Sequence, residues 1–304
     1  MTERFAAPTS LEEALAILAR DPAARPIAGG TDLVVASRQG RRPLPASIVA
    51  IDRIAELDQR GVVDGALVLG GLTSHAWLAG SAAVREHWTA LADASSIVGS
   101  PATRGTGTIG GNLMNASPAA EATAPLVVLE ANVILRAMGR GSRIVPVERL
   151  ATGPGRTSAD PVELLTTVIV PAPAPSSGSA YIRLEYRRAM EIAVVGAAAF
   201  VTLADDGSIR LARVALTAVA PTIVRAPEAE SVLEGAAGTP ATFRAAGAAA
   251  AASAHAIDDV RASADYRRAM LAVVVARTVA AAVARARGEQ IPIPASRWAH
   301  GQES

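Results

Sequence analysis

The 304-residue sequence contains no cysteine. An iron–sulfur cluster, a zinc site built from thiolates and a disulfide are therefore excluded in this chain, because each needs cysteine sulfur. Aromatic residues make up only 3% of the chain, whereas 50% of its residues are hydrophobic. We therefore expect hydrophobic cores built from Ala, Val, Leu and Ile. The formal net charge of +1 offers no basic surface of the kind that binds nucleic acid.

Signals for export, membrane insertion and self-contained catalysis are also missing. Residues 1–5 lack the basic-then-apolar pattern of a signal peptide. The alanine-rich segment 245–256 is too short and too weakly hydrophobic to span a bilayer, and segment 270–283 is interrupted by Arg277. We therefore expect no transmembrane segment and a cytoplasmic protein. No catalytic triad, no suggestive pair of carboxylates and no histidine for covalent cofactor attachment is evident, so we assign no catalytic residue and no metal ligand.

Two glycine-rich segments, 26–32 and 101–121, carry the most pointed chemistry. Glycine lets a ligand approach main-chain N–H groups, and the N–H groups at a helix start favour an anion. We expect a helix to start after each segment, the second at Ser117-Pro118. Neither is a Walker loop, and residues 107–110 lack the spacing of the Rossmann fingerprint. Two such sites suggest a ligand with two phosphates or a dinucleotide, although each segment alone is equally compatible with a plain tight turn.

Periodicity and punctuation predict an α+β fold. Ser10 and Glu13 form a capping box for the first helix, residues 84–96 suggest one continuous helix, and the proline-rich stretch 171–179 marks a domain junction. The predicted parts are a small βαβ-type N-terminal subdomain (1–54), a second subdomain with a mixed or antiparallel sheet (55–175), a C-terminal domain of a three-stranded antiparallel sheet with helices (176–290), and a tail (291–304).

In combination, these segments resemble the FAD-binding subunit of the xanthine dehydrogenase and carbon monoxide dehydrogenase family, the medium chains of molybdenum hydroxylases. Residues 27–33 carry the resemblance, together with 108–112 and 117–121. Three further stretches agree, at 163–171, 220–226 and 259–268. Each motif alone is loose, but these five regions, with 108–121 counted as one, occur in the order of the family and are specific together.

The resemblance implies that this chain binds FAD. The N–H groups of residues 28–32 and 110–112 would hold the pyrophosphate, and the Thr31 and Thr108 hydroxyls would add hydrogen bonds. Glu121, where the family usually has aspartate, would accept a hydrogen bond from a ribose or ribityl hydroxyl. The implied cofactor-binding residues are Arg25, Pro26, Ile27, Ala28, Gly29, Gly30, Thr31, Asp32, Val98, Thr103, Gly107, Thr108, Ile109, Gly110, Gly111, Asn112, Glu121, Leu165 and Arg183.

Three of these residues would lie near the isoalloxazine ring. Val98 would form an apolar wall and Leu165 a backbone contact. Arg183, where many members have lysine, would place a positive charge that stabilises the reduced flavin. The alternatives are that Glu121 is a solvated helix residue and Arg183 an ordinary exposed strand residue. Tyr181 and Tyr186 suit either stacking on the flavin or, in our preferred interpretation, filling the core.

The resemblance also implies a heteromeric oxidoreductase. Substrate would be oxidised at a molybdopterin centre in a large subunit, and electrons would pass through two [2Fe–2S] clusters in a small subunit to FAD in this chain, then to an external acceptor. A dimer of such heterotrimers is expected. The alternatives are a stand-alone flavin oxidoreductase, a non-redox nucleotide-binding module, and a scaffold subunit that has lost FAD. The sequence specifies neither the substrate nor the acceptor.

Overall fold

A computed structural model describes residues 4–40, 43–187 and 189–299. The extreme ends of the chain, residues 1–3 and 300–304, lie outside this described part, and they include the last five residues of the predicted tail. The described residues form an α+β structure of three sheets in chain order, each covered by helices and each with its own cluster of buried apolar side chains. The α+β prediction is therefore confirmed, whereas the exact boundaries at 54, 175 and 290 stay a prediction.

The N-terminal unit is a three-stranded parallel sheet in the order β1-β3-β2. Its first helix is capped as predicted, since Ser10 Oγ accepts a hydrogen bond from the Glu13 N–H at 3.2 Å. Leucines on one side of that helix are buried against the sheet. The elements are β1 (Arg4–Ala6), α1 (Leu11–Arg20), β2 (Arg25–Ile27), α2 (Leu33–Arg38) and β3 (Ser47–Ala50).

The middle unit is a five-stranded antiparallel sheet in the order β4-β5-β10-β6-β7, with a small β8-β9 pair beside it. The single helix expected over 84–96 is two helices, because the chain breaks at Trp88 (φ −120°, ψ 52°). The buried Trp88 indole donates to Pro171 O at 2.9 Å, which ties this break to the end of the sheet. The elements are β4 (Arg60–Val63), β5 (Ala66–Gly70), α3 (His75–Gly80), α4 (Ala82–His87), α5 (Thr89–Ile97), α6 (Pro101–Thr106), α7 (Ile109–Asn115), α8 (Thr123–Val128), β6 (Asn132–Ala137), β7 (Gly141–Pro146), β8 (Ala151–Gly153), β9 (Arg156–Thr157) and β10 (Leu164–Val170).

The second glycine segment is more helical than we expected. Thr108 caps α7 by accepting the Gly111 N–H at Oγ1 (3.0 Å), so most of the expected loop is a helix. Ala116 adopts a left-handed conformation (φ 46°) and ends α7. The helix expected to start at Ser117 is wrong: Ser117 Oγ accepts the Ala119 N–H at 3.2 Å and closes a turn. The next helix begins six residues later, at Thr123.

The C-terminal unit is an antiparallel sheet, β11-β12-β13-β14, packed against long helices. A two-residue fourth strand, β14, joins the three strands that were predicted. Small residues permit the close packing: a β-carbon on Gly178 would collide with the Ala282 carbonyl of α11, and one on Gly247 with the Ala272 carbonyl. The elements are β11 (Ser177–Leu184), β12 (Val195–Leu203), β13 (Ile209–Thr217), β14 (Val224–Arg225), α9 (Pro227–Leu233), α10 (Pro240–Ala252), α11 (Ala264–Ala286) and α12 (Ser296–Ala299).

Within the described residues, α11 is the one helix long and apolar enough to cross a membrane by length and composition, with a mean hydropathy of 1.7 over its most apolar window. Half of that window is buried inside the protein, where it packs on β11, β12 and α10. Arg267, near the start of α11, is also buried and bonds to Ala218 O (3.3 Å) and Asp259 Oδ1 (2.6 Å). The stretch around Arg267 therefore packs within the fold.

A buried ion pair fastens the C-terminal unit to the middle unit. Asp93 of α5 is fully buried and receives both terminal nitrogens of Arg285 from α11, at 2.6 and 2.9 Å. Its oxygens also accept the N–H groups of Tyr181 (3.0 Å) and Ala295 (2.9 Å). Burial raises the pKa of Asp93, and Arg285 offsets this effect. One carboxylate therefore joins α5, β11, α11 and the segment after α11.

We expect Arg285→Met to lower the free energy of unfolding by about 3–5 kcal/mol, because it leaves the buried Asp93 carboxylate without its cation. Urea denaturation measures the effect. The control is Arg210→Met, at an exposed position of β13, which should change stability by less than about 0.5 kcal/mol. Equal losses in the two variants would contradict the role assigned to the Asp93 site.

Candidate functional site

The two glycine segments meet directly, although about 75 residues separate them in the sequence. Gly29 lies against the Thr106 carbonyl so closely that a β-carbon at position 29 would collide with that oxygen. A β-carbon on Gly107 would lie 3.5 Å from Thr31 Oγ1. The structure therefore brings the N-terminal and middle units together at these two segments.

The first segment offers a run of free hydrogen-bond donors. Within the described residues, none of the N–H groups of residues 28–32 donates to a protein acceptor. Gly30 has a positive φ of 67°, and a backbone turned in this way lets successive N–H groups point into one concavity that suits an anion. These residues are half-buried or exposed, so solvent or a ligand can reach the donors.

The second segment is already hydrogen-bonded within the protein, which corrects our expectation that the N–H groups of residues 110–112 are free for a pyrophosphate. Residues 107–110 are buried, and buried N–H groups need partners inside the fold. A β-carbon on Gly110 would lie 2.6 Å from Gly71 O, so packing alone requires glycine there. The bonds are Ile109 N–H to Thr73 O (2.9 Å), Gly110 N–H to Gly71 O (3.0 Å), Gly111 N–H to Thr108 Oγ1 (3.0 Å) and Asn112 N–H to Thr108 O (2.9 Å).

The residues of β2, just before the free N–H groups, make their hydrogen bonds within the protein. Arg25 is exposed, and its Nη1 donates to Pro22 O and Ala24 O, both at 3.0 Å. Pro26 has no N–H to donate. Ile27 accepts the Ile51 N–H at 2.9 Å within the sheet. A direct role for Arg25, Pro26 and Ile27 in holding a ligand therefore has no support in their hydrogen bonds.

Val98, Thr103 and Leu165 are held by contacts within the middle unit. Val98 is half-buried at the end of α5, and its carbonyl accepts Arg104 Nη1 at 3.0 Å. Thr103 Oγ1 lies 3.1 Å from Ser100 Oγ. The Leu165 carbonyl lies under Gly71, where a β-carbon would be 2.8 Å from it. Gly71 therefore lies between Leu165 and Gly110. Leu165 also lies at a β-bulge in β10.

Arg183 is neither the exposed strand residue nor a free charge at a surface. Its side chain is fully buried, and it forms ion pairs with Glu121 and Glu185. Nε donates to Glu185 Oε2 at 2.7 Å and Nη2 to the Ile97 carbonyl at 3.0 Å. Burial opposes the Arg183 charge, but Glu121 and Glu185 outweigh this effect and raise the pKa of the guanidinium. Glu185 was missed in the sequence, although alternation along a strand puts residues 183 and 185 on one face.

Glu121, like Glu185, is partly exposed to solvent, unlike Arg183. It lies in the turn before α8, with 12% of its side chain exposed, so it is not a solvated helix residue. Burial raises the pKa of Glu121, Arg183 partly offsets that, and Asp32 raises it further. The electrostatic effect of Asp32 places Glu121 near the first glycine segment. Asp32 itself is exposed on one side, and desolvation by the surrounding protein raises its pKa.

Three buried polar atoms beside α7 have no hydrogen-bond partner in the described structure: Thr73 Oγ1, His75 Nδ1 and Asn112 Oδ1. His75 is 2% exposed, and its ring packs beside Gly107. Burial, with a contribution from Arg104, lowers the pKa of His75 to about 4. The pattern of the sequence gives no signal for the positions of Thr73 and His75.

Tyr181 and Tyr186 differ in burial. Tyr181 is fully buried in the core, as we preferred. Tyr186 is 61% exposed, so the core role is wrong for it, and its hydroxyl donates to the Arg261 carbonyl.

Comparisons with known proteins identify the class of this site. Residues 1–173 match the family described as the FAD binding domain in molybdopterin dehydrogenase. Residues 180–282 match the CO dehydrogenase flavoprotein C-terminal domain. The chain is a flavoprotein of the molybdopterin dehydrogenases. It belongs to the family of FAD-binding, or medium, subunits of xanthine and carbon monoxide dehydrogenases.

Individual relatives cover almost the whole chain. The xanthine dehydrogenase FAD-binding subunit of Escherichia coli O157:H7 is 31% identical over 92% of this chain and 96% of its own length. The carbon monoxide dehydrogenase medium chain of Hydrogenophaga pseudoflava is 33% identical over 92% of this chain and 97% of its own. A solved carbon monoxide dehydrogenase structure from H. pseudoflava, which lacks the Mo-pyranopterin moiety of its cofactor, superposes with a TM-score of 0.88 at 32% identity, covering 94% of this chain and 98% of that one.

We expect Gly29→Ala to lower the free energy of unfolding by about 1–3 kcal/mol, because the added methyl forces the segment away from Thr106. Thermal denaturation measures the loss. Gly105→Ala is the matched control, since Gly105 in α6 is exposed with open space around it. It should be neutral or stabilise by up to about 1 kcal/mol. A Gly29→Ala protein as stable as the wild type would refute the close contact.

The His75 ring gives a prediction about pH. Its pKa of about 4 in the folded protein lies below the ordinary value of 6.5. Between these two pH values the unfolded chain therefore binds a proton at His75 and the folded chain does not. Stability should fall as the pH drops from about 6.5 towards about 4, by up to about 3 kcal/mol from this residue. His75→Gln should remove that part of the pH dependence, measured by urea denaturation at several pH values. The exposed control His87→Gln should keep the wild-type profile, and an unchanged profile in His75→Gln would contradict the assignment.

Proposed function

We propose that this chain is the FAD-carrying electron-transfer subunit of a heteromeric molybdenum hydroxylase. It takes electrons from the [2Fe–2S] clusters of a partner subunit and passes them to an external acceptor. The observation that carries the proposal is the run of five unpaired N–H groups at residues 28–32, wedged against the second glycine segment. FAD has the pyrophosphate that such a run of donors suits.

The residues of the cleft divide the work of holding FAD. The N–H groups of residues 28–32 bind the pyrophosphate, assisted by the Thr31 hydroxyl, which has no protein partner in the described structure. The second segment frames this site from behind, and Thr108, which accepts the Gly111 N–H, retains a hydroxyl hydrogen to donate. Glu121 accepts a hydrogen bond from a hydroxyl of the ribose or ribityl chain, and Val98 borders the isoalloxazine ring. FAD, when bound, supplies the two-electron redox chemistry that the protein side chains lack.

The composition supports a division of labour between subunits. Without cysteine, this chain has no thiolate to ligate an iron–sulfur cluster. Within the described residues, no group of three His, Asp or Glu side chains is placed to hold a metal ion. We therefore assign the molybdopterin centre to a large partner subunit and the clusters to a small one. A dimer of such heterotrimers in the cytoplasm is the assembly we propose.

The FAD-binding chain does not identify the substrate of the complex. Relatives named for xanthine and for carbon monoxide match this chain at 31% and 33% identity, so similarity does not select between these chemistries. Since the substrate is oxidised on another subunit in this proposal, residues of the FAD-binding cleft carry no substrate information.

The proposal predicts that the purified chain, alone or with its partners, shows a flavin absorption spectrum and releases FAD on denaturation, identified by chromatography. Thr31→Val should weaken FAD binding about five- to tenfold, because it deletes one hydrogen bond. Fluorescence titration of the FAD-free chain measures the dissociation constant.

Thr152→Val, at an exposed position of β8, is the control and should bind FAD like the wild type. A colourless chain that takes up no added FAD would overturn the proposed function. Wild-type affinity in Thr31→Val would remove only Thr31 from the site.

A further inference from the structure

We propose that Arg183 does not touch FAD and is instead a positioning residue: it pairs with the Glu121 carboxylate and orients it towards the cleft, where Glu121 binds a hydroxyl of FAD. This inference rests on the proposed function, since it concerns how the same site holds its cofactor. It replaces the expectation of a positive charge beside the flavin ring.

Arg183 offers no accessible donor to a ligand. None of its side chain is exposed, and each of its three nitrogens donates within the protein. Nη1 donates to Glu121 Oε1, Nη2 to the Ile97 carbonyl at 3.0 Å, and Nε to Glu185 Oε2 at 2.7 Å. Because the guanidinium is wholly covered, a direct contact with the flavin would require the surrounding protein to move.

Glu121 stands between Arg183 and the cleft. Its side chain is 12% exposed, whereas that of Arg183 is not exposed at all. Asp32, the last residue of the first glycine segment, is close enough to Glu121 to raise the pKa of its carboxyl. Glu121 is therefore paired with the buried guanidinium and lies in the neighbourhood of the first segment.

The charges around this group explain why a cation is needed. The ionisable groups that act on Arg183 are Glu121, Glu185 and Tyr181, and Arg183 in turn acts on Glu191. All of them are neutral or negative, and Asp32 adds a further negative charge on the cleft side. Without the guanidinium, burial and these neighbours would drive Glu121 to take up a proton, which weakens it as an acceptor for a ligand hydroxyl.

The shape of the cation matters as well as its charge. Ile97 and Glu121 belong to the middle unit, whereas Arg183 and Glu185 lie on or just after β11 of the C-terminal unit. A planar guanidinium bridges three acceptors in fixed directions, and an ammonium point charge does not. Through these hydrogen bonds Arg183 connects the C-terminal unit to Glu121.

The test is FAD affinity as a function of pH in the full chain, stripped of FAD and titrated by flavin fluorescence from about pH 6 to about pH 9. Arg183→Met should weaken FAD binding at least about tenfold at neutral pH, and affinity should recover as rising pH ionises Glu121. In the double variant Arg183→Met/Glu121→Gln this pH dependence should vanish, because no carboxyl group remains to titrate. The wild type should depend on pH much less than Arg183→Met over this range, because its guanidinium opposes the rise in the Glu121 pKa.

Two further variants separate positioning from plain structural damage. Arg285→Met breaks the other buried ion pair between the same two units, so it should lower stability yet leave FAD affinity within about twofold and its pH profile unchanged. Arg183→Lys keeps the charge and covers the case in which Arg183→Met does not fold. It should bind FAD about threefold more weakly than the wild type, again with the wild-type pH profile.

Each outcome bears on a different claim. Wild-type affinity in Arg183→Met, or a loss that is equal at every pH and unaffected by Glu121→Gln, would overturn the positioning role. Failure of the wild-type chain to bind FAD would overturn the proposed function itself.

Discussion

The site depends on the approach of Gly29 to the carbonyl of Thr106, where no side chain fits. This contact joins a segment of the N-terminal parallel sheet to a segment that is embedded in the middle unit. Gly30, the next residue, has a positive φ, and the N–H groups of residues 28–32 have no acceptor within the described part of the protein. The free donors are a consequence of how two units pack, so neither segment would form the site alone.

The two glycine segments look alike in sequence and behave differently for one physical reason, which is burial. The second segment is buried, so its N–H groups must find acceptors within the fold, and they find Gly71, Thr73 and Thr108. The first segment is half-exposed, so water or a ligand can satisfy its donors. Glycine at position 110 serves packing, whereas glycine at position 30 serves the turn. A glycine-rich pattern by itself does not distinguish these two uses.

Local signals in the sequence predicted local structure well. The cap at Ser10 accepts the expected Glu13 N–H. Features set by distant partners were not predictable. The resemblance indicated Arg183 as a site residue, but nothing local reveals that its nitrogens reach Glu121 and Ile97, more than sixty residues away. The break at Trp88 likewise depends on Pro171, which accepts its indole N–H.

Three ion pairs fix how the C-terminal unit sits on the rest of the protein: Arg183 with Glu121, Arg213 with Glu130, and Arg285 with Asp93. In all three the arginine belongs to the C-terminal unit and the carboxylate to the middle unit, so the pairs are satisfied together in one docking orientation. The unit with no glycine segment of its own thereby becomes part of the cofactor site. Of the three pairs, only Arg183 with Glu121 includes a residue of the candidate cofactor site, so it is through this pair that the C-terminal unit influences how the cleft holds its ligand.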